Sequence, residues 1–103
     1  MIKVKVLQSK FGIKELSVSG HAESAEYGKD LVCAGVSCIV IGTANALDQL
    51  SNDKTEISVK RTAKFKVLKP DENNQIILKT CLIQLQTVQE QYQDYIDIQI
   101  TEV

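Results

Sequence analysis

Apolar residues in this chain keep switching between a period of two and a period near 3.6, and the order of those switches leaves few folds open. Ile2, Val4 and Val6 alternate with Lys3 and Lys5 as in a half-buried strand, and Ile13 to Ser19 reads as its partner across a turn at Ser9 to Gly12. Val32, Val36, Ile39, Val40, Thr43, Ala44 and Leu47 then recur at helical spacing, which predicts a helix from about Leu31 to Leu50. Glu56 to Lys60 and Lys64 to Leu68 read as a second hairpin, turning at Arg61-Thr62-Ala63. Pro70-Asp71-Glu72 opens a second helix with Ile77, Leu78, Cys81, Leu82, Leu85, Val88 and Tyr92 on one face, and Ile96, Ile98 and Ile100 alternate in a last strand. The order ββαββαβ predicts an α+β fold, a mixed β-sheet with two helices packed on one face. At 103 residues this is expected to be one domain spanning 1–103.

Charge and cysteine usage narrow the setting. A formal net charge of -1 removes the usual electrostatic argument for nucleic acid or an anionic membrane as main partner, so neither is expected to be bound directly. The N-terminus alternates apolar and basic residues rather than forming a secretory signal, and no segment is expected to span a bilayer. Three cysteines, Cys33, Cys38 and Cys81, without framework spacing point to free thiols in a reducing, cytoplasmic compartment. Lys60, Arg61, Lys64, Lys66 and Lys69 make the second hairpin basic, as expected for a solvated outer face and a protected strand edge; an RNA or ribosome contact is the weaker alternative, lacking aromatic interleaving and a net basic domain.

The sole histidine, His21, falls at the expected exit of the second strand, shortly before Cys33. Neutral-pH thiol chemistry requires a sulfur nucleophile and an imidazole that first accepts and then donates a proton, and no other residues here supply both. Asp30 is a good helix N-cap, which would put Cys33 in the first turn, where unpaired N–H groups and the helix dipole favour an anion. Each residue also has an ordinary role open to it: Cys33 as a small core residue, His21 as a structural strand end, Asp30 as a cap only. Their coincidence is the signal. Cys38, about 140° around the helix from Cys33, and Cys81, within the second apolar stripe, are assigned to packing. Ser37 lies one turn beyond Cys33, either bonded back to the helix or lining the site. No metal or cofactor is expected, because no paired-ligand spacing occurs.

The run Gly20-His21-Ala22, Ala25-Glu26-Tyr27-Gly28, Asp30-Leu31-Val32-Cys33-Ala34 and Ser37, with Leu85-Gln86-Thr87-Val88, Tyr92 and Tyr95-Ile96, resembles the ribosomal-processing cysteine proteases, the Prp family. The resemblance covers essentially the whole chain. It implies that His21 and Cys33 form a catalytic dyad, with Gly20, Asp30, Ala34 and Ser37 in supporting or substrate-site positions. It also implies a mobile loop of Ala22, Glu23, Ser24, Ala25, Glu26, Tyr27, Gly28 and Lys29, and a homodimer. The implied activity is endopeptidase removal of the N-terminal extension of a large-subunit ribosomal protein, cut after a leucine- and phenylalanine-rich motif. Ser24 and Leu31 depart from the family's usual aromatic residue and isoleucine. Other classes compatible with the residues are a non-catalytic ribosome-assembly factor and a thiol redox protein.

Overall fold

The computed structural model describes residues 1–20 and 27–103, with 27–30 described by backbone alone. The elements follow the expected order: β1 (Ile2–Ser9), β2 (Gly12–Ser19), α1 (Tyr27–Leu50), β3 (Thr55–Val59), β4 (Thr62–Val67), α2 (Glu72–Gln91) and β5 (Ile96–Glu102). One sheet runs β3-β4-β2-β1-β5; β1 and β5 are parallel and the other pairs antiparallel. The register sets Val4 opposite Val18 and Ile98, and Phe65 opposite Leu16 and Ile57, so one face is continuously apolar. That face, with Val36, Val40 and Leu47 of α1 and Leu78, Cys81 and Leu85 of α2, forms the core. The opposite face carries Lys3, Lys5, Glu15, Ser17, Lys64 and Lys66, as strand alternation requires.

A bulge between Leu7 and Gln8 breaks the first hairpin's register, with Leu7 opposite Glu15 and Gln8 opposite Ile13. It lets Ile13 remain buried. Gln75 of α2 satisfies the disturbed backbone: its Oε1 accepts from the Ile13 N–H at 2.8 Å and its Nε2 donates to the Ile13 carbonyl at 3.0 Å.

A second polar group fixes the start of α2. Asp71 is its N-cap and accepts from the Asn74 N–H at 2.7 Å, while Asn74 Oδ1 accepts from the Asp71 N–H at 3.1 Å, a reciprocal capping box. Asn74 is fully buried, and its Nδ2 donates to the Lys69 carbonyl at 3.0 Å and the Ser51 hydroxyl at 3.2 Å. Asn73 reaches the last carbonyl of α1, at Leu50. Lys54 completes the cluster 3.2 Å from the Asp71 carboxylate. The Asn74 amide bond, Lys54 and Ser51 together hold the Asp71 carboxyl below its ordinary 3.8.

Several expectations are corrected. Helix α1 starts at Tyr27, so Asp30 lies inside the helix and is not its N-cap, and Tyr27, Gly28 and Lys29 are helical rather than loop. The second hairpin turns at Lys60-Arg61; Thr62 and Ala63 belong to β4, where Ala63 is buried opposite Val18. β4 is an interior strand, so Lys64 and Lys66 protect no edge. Cys38 is exposed rather than packed. Leu31–Leu50 is long and apolar enough to cross a membrane by length and composition, contrary to expectation. Its Val32, Val36, Val40 and Leu47 stripe is buried in the core, the same composition serving as a core helix.

Candidate active site

The site is built where the exit of β2 meets the opening turns of α1. β2 places Ser19 opposite Lys3, bringing Gly20 alongside the start of β1. Gly20 has φ of 85°, and a Cβ there would stand 2.7 Å from the Met1 carbonyl oxygen. Glycine is therefore required twice over, by the left-handed backbone and by the close approach of another chain segment.

Cys33 lies in the second turn of α1, between the core residues Val32 and Val36, and is 6% exposed. Its thiol points to the Gly20 carbonyl oxygen at 3.8 Å, a long, weak S–H donation. Because α1 begins at Tyr27, the N–H groups that lack a partner within the helix lie before residue 30. The sequence expectation that Cys33 itself sits in that first turn is thereby corrected.

Asp30, Cys33, Ala34 and Ser37 occupy spacings i, i+3, i+4 and i+7 on α1, which share one side of a helix. Ala34 is exposed and Ser37 half-buried. His21 and the expected loop residues Ala22, Glu23, Ser24, Ala25 and Glu26 lie outside the described residues. The structure thus brings together Gly20 and Cys33, and aligns the α1 backbone positions of the other expected residues. The Gly20 carbonyl as thiol acceptor was not foreseen; a glycine just after a strand was its only sequence signal.

The other cysteines differ chemically. Cys81 is buried, which pushes its thiol above the ordinary 9.0 despite a hydrogen bond with Thr43, and keeps it protonated at neutral pH. Cys38 is exposed on a groove of about 420 Å³ between α1 and α2, whose lining does not include Cys33. Among the described residues no group of three or more His, Cys, Asp and Glu could hold a metal ion.

An α+β domain that seats a free cysteine against the carbonyl of Gly20, the residue just before the sole histidine, holds the two residue types that a thiol-dependent enzyme needs. The family profile of cysteine protease Prp matches residues 1–97. The chain is 36% identical to the ribosomal processing cysteine protease Prp of Staphylococcus aureus over 93% of this chain and 95% of that protein. It is 30% identical to that of Bacillus subtilis over 81% of each. The crystal structure of an essential ribosomal processing protease Prp from S. aureus with a covalently linked product peptide superposes with a TM-score of 0.86 at 29% identity, covering 98% of this chain and all of that one. The S. aureus complex with a substrate peptide gives 0.84 at 28% identity, with the same coverage. The chain belongs to the Prp family of cysteine proteases.

Proposed function

We propose that this enzyme removes the N-terminal extension of a large-subunit ribosomal protein, with Cys33 as nucleophile and His21 as general acid and base. The observation that carries the dyad is the Gly20 carbonyl group: its oxygen is 3.8 Å from the Cys33 sulfur, and its carbon is bonded to the nitrogen of His21. Covalent connectivity therefore tethers the imidazole's residue to the thiol's surroundings. The S. aureus relative with a covalently linked product peptide supports a route through a bond to the enzyme.

In this reading His21 takes the thiol proton, which the Gly20 carbonyl holds only weakly. The Cys33 thiolate then attacks the scissile carbonyl, and protonated His21 gives its proton to the departing amine. A water deprotonated by His21 hydrolyses the thioester and frees Cys33. Asp30, in the first turn of α1, orients His21 in this reading. Ala34 and Ser37 line the substrate side. A leucine- and phenylalanine-rich sequence is selected by apolar contact.

The enzyme works as a cytoplasmic homodimer in this reading. Three free cysteines suit a reducing compartment, and Leu31, Ile41, Ile76 and Ile83, each more than half exposed on the helices, supply an apolar surface for a second copy. The test is mass spectrometry of a peptide copying the same organism's ribosomal-protein N-terminus, incubated with wild type and with Cys33→Ala. One cut by wild type alone is expected. No cut by folded wild type would overturn the reading in favour of a binding role in ribosome assembly.

A further inference from the structure

Charge in this chain is segregated by fold element. Residues 1–20 and 54–69, the two hairpins with their flanks, hold ten of the twelve basic side chains and only two acids, Glu15 and Glu56. The near-neutral total conceals a basic half and an acidic half. On the face of the sheet away from the helices, exposed Lys3 and Lys5 form one row on β1, and exposed Lys64 and Lys66 another on β4. The rows are separated by β2, which contributes Ser17 and Ser19 opposite Lys5 and Lys3.

β4 is interior to the sheet, so edge protection does not explain its lysines. Local pairing accounts for part of the charge: Glu15 is 3.9 Å from Lys64, and Glu56 and Asp97 stand opposite Lys66 and Lys3 in register. Lys5 faces Ser17 and Gln99 rather than a carboxylate on its two neighbouring strands, and the adjoining turn adds Lys60 and Arg61.

We propose that this outer sheet face docks on the sugar-phosphate backbone of duplex RNA. Two lysine rows about 10 Å apart, with side chains about 6.8 Å apart along each strand, give a regular cationic lattice. Serine hydroxyls between them suit phosphate and 2′-hydroxyl groups. A broad sheet face fits the wide, shallow minor groove of A-form RNA, whereas the B-DNA major groove admits a helix or a two-stranded ribbon. A lipid surface would call for apolar side chains spread among the lysines, whereas Leu7, Phe11 and Leu68 gather at one end of the face, beside Lys66.

The test is fluorescence anisotropy of a fluorescein-labelled RNA hairpin with a stem of about 16 base pairs. It is run against a DNA hairpin of the same sequence and against phosphatidylserine vesicles. Wild type is expected to bind the RNA at least about tenfold more tightly than the DNA, with log affinity falling against log salt by about 0.9 for each phosphate neutralised. Lys3→Gln, Lys5→Gln, Lys64→Gln and Lys66→Gln together should lower RNA affinity at least about tenfold and flatten the salt slope by about one for each phosphate no longer neutralised, while peptide cleavage is unchanged. Lys79→Gln on α2 should change RNA affinity less than about twofold. Absence of RNA binding by wild type, an unaltered fourfold variant, an equal loss in Lys79→Gln, or equal binding of DNA or vesicles would each overturn the proposal.

Discussion

The two ends of the helical layer are held by different means. At the start of α2, Asn74, Asp71, Ser51, Lys54 and Gln75 exchange short hydrogen bonds, and the buried Asn74 amide has partners on both its oxygen and its nitrogen. At the start of α1, Cys33 makes, among the described residues, one long contact with a backbone carbonyl. A satisfied buried polar cluster fixes a unique geometry, because any displacement strands a donor or acceptor. A thiol held by one long contact can turn at little cost in broken bonds. The chain therefore concentrates specificity of fold at one end and leaves chemical freedom at the other.

The sharpest test of that division is Cys33→Ala. Cleavage should fall by about ten-thousand-fold or more, while the thermal midpoint measured by calorimetry stays close to wild type. A large loss of stability would show that the thiol is structural. Asn74→Ala should do the reverse: chemical denaturation is expected to show a loss of about 2–3 kcal/mol, because the Asp71 N–H and the Lys69 carbonyl lose buried partners. Folded Asn74→Ala protein should still cleave at a rate near wild type. Gly20→Ala falls between the two, since the methyl group meets the Met1 carbonyl and the left-handed backbone is strained. Its kcat/KM should drop by about tenfold or more.

A smaller effect separates the ends by pH. Asp71 has its folded pKa lowered, so its contribution to stability is fully present above the unfolded value of 3.8 and disappears as pH falls through the lowered value. Asp71→Asn should therefore narrow the stability difference between neutral and acid solution in urea titrations. Smallest of all is Cys38→Ser, which should leave stability and cleavage unchanged. In wild type, mass-resolved alkylation at neutral pH should modify exposed Cys38 before buried, protonated Cys81.

Much of this division was legible before folding was considered. Alternation in Ile2 to Val6 and helical spacing in Val32 to Leu47 reflect burial on one face, which is a local consequence of secondary structure. Asn74 was not legible, because a polar residue on a helix reads as surface until its partners from Ser51 and Lys69 arrive by tertiary folding. The start of α1 was missed because Gly28 and the polar residues around it weaken the helical pattern. Lys64 and Lys66 were misassigned for another reason: strand order is decided by pairing between distant segments, so interior and edge strands look alike in sequence. Of the site, the Cys33 and His21 residue types were visible. The Gly20 carbonyl contact depends on where β2 ends relative to α1 and was not.

The approach of Met1 to Gly20 has a practical consequence. Any peptide fused ahead of Met1 begins within a few ångströms of the segment leading into His21. Such an extension is held beside that segment at high effective concentration however dilute the protein. A tag placed after Val103 joins the chain beyond β5, where the Val103 N–H pairs with the Gln8 carbonyl at the other end of β1.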